Sequence, residues 1–411
     1  MSDKPENMAI GVIAEYNPFH NGHAFHIRRA REMSGGPVVA VMSGHFTQRG
    51  DAAIMRKHAR AAAAVKCGVD LVLELPLPCA VAGAEYFALG AVGILAATGV
   101  VGLICFGSEC GDAELLAQYA ARLTDGDVRA LTKNIYQSGV SYPAARQRAM
   151  ERAGLDGHIL QTPNNILGIE YIKAINMLGA QITPISVKRE GAAHDQAGAV
   201  GGVASASHVR ALLLANEENQ AAAYMPRAVF DIYRAEKQAG RAPAALENSE
   251  RGMISYLRRL SPGDFARVAD ATEGLGDRIH AAVRRHNSLS AIYGAAKTKR
   301  YTHSRIRRIV LCAYLGLYAG ARPASPPYIR PLAFNDTGRG LLAAMRGAAA
   351  VPVLTRPSAP CPSDAARELM RLEERATDLY NAALPAYELP AGEEYRISPV
   401  YIGGLGQTIY D

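Results

Sequence analysis

Short apolar runs alternating with stretches of helical period dominate the first half of this chain, and they leave few folds open. Residues 9–14, 38–42, 69–75, 100–106 and 182–187 read as buried strands. Residues 24–33 and 56–67 read as the helices after the first two, and 112–123 and 142–152 as helices between the last two. Parallel neighbours need a long crossover, which a helix supplies, so the alternation predicts a parallel sheet covered on both faces. Ligands of such sheets bind beyond the carboxyl ends of the strands.

The character changes after about Tyr233. Residues 236–250, rich in Ala, Gly, Pro and charge, read as a linker or a long connection. From there to about Tyr318 only helical patterns appear, residues 323–331 read as extended, and 363–383 as a helix with Ser363 as N-cap. The 411 residues therefore divide into an α/β, Rossmann-like domain over 1–235 and a mainly helical region over 236–411. Residues 79–101 form the longest apolar stretch, and glycines and Glu85 interrupt it, so it reads as a buried helix and not a membrane span. No signal peptide is expected, because 8–14 is too short an apolar run. The six cysteines are scattered without CxxC spacing, which argues against structural zinc and a dithiol redox site and fits a cytoplasmic protein. The net charge of +7 points mildly to a polyanionic partner.

The most informative segment is Ile13-Ala14-Glu15-Tyr16-Asn17-Pro18-Phe19-His20-Asn21-Gly22-His23, a strand end, a turn and a helix start. A helix N-terminus carries unpaired N–H groups and a partial positive charge, so it draws anions. Gly22 permits close backbone approach, and His20 and His23, three apart, can both donate to phosphate oxygens. Two bland readings compete: a zinc pair, which lacks further ligands, and ordinary surface histidines. Ser205, Ser207 and Arg210, at a second helix start, offer two hydroxyls and a bidentate cation of the kind that clamps phosphate. A plain serine N-cap with a nearby arginine is the other reading.

His20-Asn21-Gly22-His23 resembles the HxGH signature of the nucleotidyltransferase superfamily, and Ser205 to Arg210 is similar to its phosphate clamp. The segments EYNPFHNGH (15–23), MSGHFTQRGD (42–51), GVDLVLELP (68–76), FGSE (106–109) and PNNILGIEY (163–171), in that order, resemble the bacterial tRNA(Met) cytidine acetate ligase family. The resemblance covers residues 8 to about 210 and continues more weakly through KTKRYTHSRIRR and AFNDTGRG. It implies a ligase that joins ATP and acetate into acetyl-adenylate and passes the acetyl group to N4 of the wobble cytidine of elongator tRNA(Met). It implies nucleotide contacts by residues 13–26, including His26, and by Gly107, Asn164 or its neighbour Asn165, and Arg189. His20 and His23 would be catalytic, and Mg2+ would accompany ATP without a dedicated carboxylate cage. A small-molecule adenylyltransferase of the pantetheine-phosphate or nicotinamide-mononucleotide kind shares the HxGH signature and is the alternative. A non-catalytic RNA-binding protein that holds ATP is a second.

Arg49 reads either as an acetate or pyrophosphate ligand or as an ion-pair partner of Asp51 or Glu74. Lys57 reads as a phosphate ligand or a solvated lysine, and Asp70 and Glu74 as supports of the Arg49 loop. Lys297, Lys299, Arg300, Arg305 and Arg308 belong to a basic run without acids that begins a helix near Thr302. A solvated helix face and a tRNA phosphate track are both consistent with it, Tyr301 being available to stack on a base.

Overall fold

One eight-stranded sheet organises the computed structural model, which describes residues 8–189, 204–323, 325–386 and 390–403 and the backbone of 408–409. Its strands are β1 (Ala9–Ala14), β2 (Val38–Ser43), β3 (Leu71–Leu75), β4 (Val101–Ser108), β5 (Thr183–Lys188), β6 (Pro331–Phe334), β7 (Val400–Ile402) and β8 (Thr408–Ile409). They lie in the order β5-β4-β1-β2-β3-β6-β7-β8. The first five are parallel. The chain runs outward from β1 to β3 and then returns to β4 on the other side of β1. That reversal opens a crevice beyond the carboxyl ends of β1 and β4, where ligands of such sheets bind.

The helices that concern the site are α1 (Asn21–Ser34), α2 (Lys57–Lys66), α3 (Ala84–Ala97), α4 (Pro163–Leu178), α5 (Ala206–Leu214), α6 (Leu275–Arg285), α7 (His303–Leu315) and α8 (Asp364–Asn381). Helices α1, α2 and α5 bury Ile27, Ala61 and Val209 on the sheet face that carries Ile10 and Val12. Helices α3 and α4 cover the other face with Phe87, Leu95 and Ile169. Gly11 is needed in β1 because α3 presses onto it there, and a Cβ would sit 2.6 Å from Leu95 Cδ1. A third core surrounds α7 through Ile306, Ile309 and Val310, and takes in Phe46 and Leu77 from the N-terminal half. Among the described residues no helix is long and apolar enough to cross a membrane.

The five expected strands and the helices between them are present, with only their ends shifted. Ser363 accepts from Ala366 N at 3.1 Å, as an N-cap should. Two readings change and a third is decided. Residues 79–101 are not one helix: Leu77–Ala80 and α3 are separate, with Gly83 at the break. Of the two readings of residues 236–250, the structure shows a packed connection and not a free linker. Glu236 pairs with Arg56 at 3.0 Å, Ala244 N donates to the Ile54 carbonyl at 3.0 Å, and Ala242, Ala244 and Leu246 are buried. Their small side chains let this segment pack closely, and composition alone does not separate that from flexibility. The region read as helical also supplies β6, β7 and β8, with β6 antiparallel beside β3. The sheet therefore crosses the division at residues 235/236. These strands are two to four residues long, too short to show a period.

A buried ion cluster fastens the C-terminal segments to the sheet. Lys57 Nζ lies 2.7 Å from Glu74 and 2.6 Å from Glu394, and Arg330 pairs with both acids. Thr377 donates to Glu394, and Glu373 accepts from Leu77 N at 2.7 Å. Lys57 thus reaches neither phosphate nor solvent. Carboxylate oxygens of Glu74, Glu373 and Glu394 lie within 4.8 Å of one another, but the Lys57 ammonium already bridges two of these acids. Burial, with repulsion from Glu74, pushes the Glu373 carboxyl well above the usual carboxylate range. Asp70 accepts from Arg31 at 2.6 Å, Val38 N at 2.7 Å and Asn335 at 3.0 Å. Asp70 is thus committed away from the Arg49 loop, and the Glu74 carboxylate, which lies against Gly44 at the start of that loop, is committed to Lys57. Asp51 pairs with Arg307 at 2.6 Å, and Arg49 is exposed, with no ion pair among the described residues.

Candidate active site

The crevice is built from the turn between β1 and α1. Tyr16 stands at φ 45°, in the left-handed region that side chains other than glycine rarely occupy. Its neighbours hold the turn. Asn17 Oδ1 accepts from Ile54 N at 2.8 Å, the Asn17 carbonyl accepts from Arg210 at 2.6 Å, and Asn21 N donates to the Tyr224 carbonyl at 2.9 Å. The turn delivers His20 as the N-cap of α1.

The two histidines cap the helix in place of serine and glutamate. His20 Nδ1 accepts from Gly22 N at 3.1 Å, and His23 Nδ1 accepts from His20 N at 3.2 Å. The rings stack at 3.7 Å. A ring nitrogen that accepts from an N–H carries no proton in the neutral ring, so both protons sit on Nε2. Backbone capping therefore fixes the tautomer, and each ring keeps its Nε2–H donor for a ligand.

The histidines border a cavity of about 560 Å³ beyond the ends of β1, β4 and β5. Of the residues expected at the site, Ile13, Ala14, Tyr16, His20, Asn21, Gly22, His23, His26, Gly107, Asn164, Arg189 and Ser205 line it. Glu15, Asn17, Pro18, Phe19, Ser207 and Arg210 are not in its wall. Glu15 Oε1 accepts from Gln48 N at 2.7 Å, and Phe19 packs 5.4 Å from the His23 ring. Ser205 caps α5 and bonds Ser207 at 2.9 Å, while Arg210 turns inward to hold Asn17. His208 packs edge-on against Tyr224. Of the adjacent asparagines, Asn164 borders the cavity. Asn165 is buried, and its side chain accepts from Glu109 N and Cys110 N at 3.0 and 3.1 Å. At Gly107, a Cβ would stand 3.2 Å from Arg189 Cγ, so glycine lets Arg189 lie across the end of β4.

Sequence reasoning missed Phe106, Leu167 and Tyr171, which form an apolar wall, and Arg28 and Lys188, which add cations. Asn164, Leu167 and Tyr171 lie at helical spacing on α4, a signal available in the sequence. An apolar slot for a flat base, paired imidazole donors and a cationic rim together suit a nucleoside polyphosphate. Among the described residues no carboxylate lines the cavity, so a divalent ion there would take its ligands from phosphate and water.

Burial, reinforced by Arg189 and Arg210, pushes the His20 imidazole down to about 3, and burial with Arg189 pushes His26 down to about 4. Burial, with His20 and Arg189, holds His23 well below its ordinary value. All three are neutral at pH 7. Below about pH 6.5 the unfolded chain takes up protons at these positions that the folded chain refuses, so stability falls as pH drops towards 4. For His26 the expected loss is about 1–3 kcal/mol, the ring being partly solvent-screened. Urea melts of His26→Gln should show a correspondingly shallower fall between pH 7 and 4, and an unchanged slope would refute the assignment.

The basic run lies away from the cavity wall and is largely tied down. Lys297 donates to the Tyr301 carbonyl at 2.7 Å, Arg300 pairs with Glu273 at 3.0 Å, and Arg305 donates to the Asp270 carbonyl at 2.9 Å. Arg308 donates to the Gln48 carbonyl at 3.2 Å. Tyr301 is buried and its hydroxyl donates to the Glu273 carbonyl at 2.8 Å, so it cannot stack on a base. Apart from the local Tyr301 carbonyl, the acceptors come from distant segments, which a helical projection does not contain. Lys299 and His303 remain exposed, as do Arg284 and Arg285 on α6.

The sequence model of the family described as HIGH Nucleotidyl Transferase matches residues 7–394. A tRNA(Met) cytidine acetate ligase of Acetivibrio thermocellus is 37% identical over 407 residues, 94% of this chain and 98% of that protein. One of Thermotoga maritima is 34% identical, over 94% of this chain and 99% of that protein. The crystal structure of apo Thermotoga maritima TmcAL superposes with a TM-score of 0.92 at 33% identity, covering 96% of this chain and all of that one. The form bound with alpha-thio ATP superposes at 0.90 with the same identity and coverage.

Proposed function

We propose, from the premise that this chain belongs to the HIGH nucleotidyl transferase family and within it to the tRNA(Met) cytidine acetate ligases, that it acetylates N4 of the wobble cytidine of elongator tRNA(Met) with acetate and ATP. An acetate oxygen attacks the α-phosphorus and pyrophosphate leaves, which gives acetyl-adenylate. The cytidine amine then attacks the acetyl carbonyl, AMP leaves, and N4-acetylcytidine forms. Acetate is ionised at neutral pH, so the first step needs no general base. It needs donors aimed where charge develops. The observation that carries the reading is the His20–His23 pair, whose backbone-capped rings keep neutral Nε2–H donors at a cavity of nucleotide size.

Arg189 and Lys188 neutralise the polyphosphate, and a Mg2+ counter-ion would take its ligands from phosphate and water. The apolar wall of Phe106, Leu167 and Tyr171 takes the base. The region 236–411 helps hold tRNA, with Lys299, Arg284 and Arg285 as exposed cations for its phosphates. Six free thiols fit the cytoplasm, where ATP and tRNA are found.

The test is transfer of radiolabelled acetate to unmodified transcripts of elongator tRNA(Met) and of the same tRNA with uridine at the wobble position. Label is expected on the first and not the second. No label on either, with ATP consumed on another small substrate, would favour a small-molecule adenylyltransferase.

A further inference from the structure

One buried side chain joins the loops that follow β1 and β2. Arg60, on α2, has no solvent exposure. Its Nε donates to the Met55 carbonyl at 3.1 Å and its Nη2 to the Ser43 carbonyl at 3.0 Å. Nη2 also donates to the Gly44 carbonyl, and Nη1 to the Glu15 carbonyl. All four acceptors are main-chain carbonyls, three of them at the carboxyl ends of β1 and β2. A buried guanidinium is tolerable only when its N–H groups are satisfied, and here the satisfaction comes from backbone whose position then depends on it. Burial pushes this guanidinium down to about 10, where it still carries its charge at pH 7.

The Glu15 carbonyl belongs to the peptide unit that enters Tyr16, the residue at φ 45°. A left-handed non-glycine residue persists only where its surroundings over-determine it. Ile54 N and Arg210 hold the far side of the turn through Asn17, and Arg60 holds the near side. Lysine could not replace it, because three donors on one nitrogen cannot span carbonyls from three separate segments.

We propose that Arg60 is a positioning residue for the adenylate-forming step: its guanidinium fixes the Glu15 carbonyl, and through it left-handed Tyr16 and the His20–His23 pair, against the ends of β1 and β2. This rests on the adenylate reading above and names what aligns its donors. The test compares wild type, Arg60→Lys and Arg60→Met by acetate-dependent ATP–pyrophosphate exchange, circular dichroism and the Kd of a fluorescent ATP analogue. A misplacement of the donors by about 1 Å predicts a fall in exchange kcat per folded molecule of roughly 100-fold in both variants. The Kd should shift by less than about fivefold, since the wall of Phe106, Leu167 and Tyr171 and the Arg189 cation, none of which Arg60 touches, remain in place. Exchange kcat within about threefold of wild type in a folded variant would overturn the proposal, since such a change is too small for a displaced donor pair. Failure of both variants to fold would also overturn it and assign Arg60 to stability alone. Exchange absent from the wild type would overturn the adenylate reading and this proposal with it, whereas exchange present and unchanged in the variants would overturn this proposal alone.

Discussion

Replacing His23 with alanine is expected to slow acetate-dependent ATP–pyrophosphate exchange by roughly 10²–10³-fold, the usual cost of removing one pre-organised donor to a developing oxyanion. The Nδ1 atom of His23 is committed to His20 N, so the ring cannot turn away, and its Nε2–H is set before substrate arrives. Burial with neighbouring His20 and Arg189 keeps the ring neutral, so it donates a hydrogen bond without giving up a proton. The effect should fall on kcat more than on the KM for ATP, because the charge that this donor meets appears mainly in the transition state. The lost helix cap costs about 0.5–2 kcal/mol, too little to unfold a protein of this size. Kinetics of His23→Ala beside wild type decide the matter. A loss below about tenfold in kcat, with KM raised instead, would make His23 a uniform binding residue and not a catalytic one.

The largest stability effect is expected at Lys57. Its ammonium bridges Glu74 of β3 and Glu394 of the C-terminal segment, with both acids and the lysine buried. Lys57→Met keeps most of the volume but leaves a buried carboxylate without a counter-charge, and breaking such a pair costs about 3–5 kcal/mol. Arg330, already engaged by Glu394, offsets only part of this. The urea midpoint should fall accordingly, while exchange activity per folded molecule stays unchanged, because Lys57 does not line the cavity. Adding Glu394→Gln should recover part of the loss, since it removes one of the charges left unpaired. A change below about 1 kcal/mol would place the cluster with surface pairs of little worth and refute its role as the fastening of the C-terminal strands.

The site was legible where function is written in local spacing. His20, Gly22 and His23 stand at a strand–turn–helix junction, and three residues there supply the capping, the donors and the close approach. Gly107 and Arg189 were legible as strand ends, although their contact across β4 and β5 was not. Arg210 shows why position did not settle role. It sits at the expected place after a serine cap, yet its guanidinium is turned to the Asn17 carbonyl, an acceptor 193 residues away. Lys57, Arg305, Arg308 and Tyr301 looked exposed by composition or helical projection, and each is held by a group from a remote segment.

The amino-acid sequence by itself determined the parallel order of helix and strand, the carboxyl edge as the place of the cavity, and the paired-histidine helix start. These follow from period, capping and glycine, which act over a few residues. Only the tertiary structure decided that the C-terminal region completes the sheet, that the basic run is largely tied inward, and that Arg60 joins the two loops of the site. Those outcomes depend on which distant carbonyl or carboxylate meets a given cation. A buried polar group must find a partner wherever the fold brings one, and no local pattern records which one it will be.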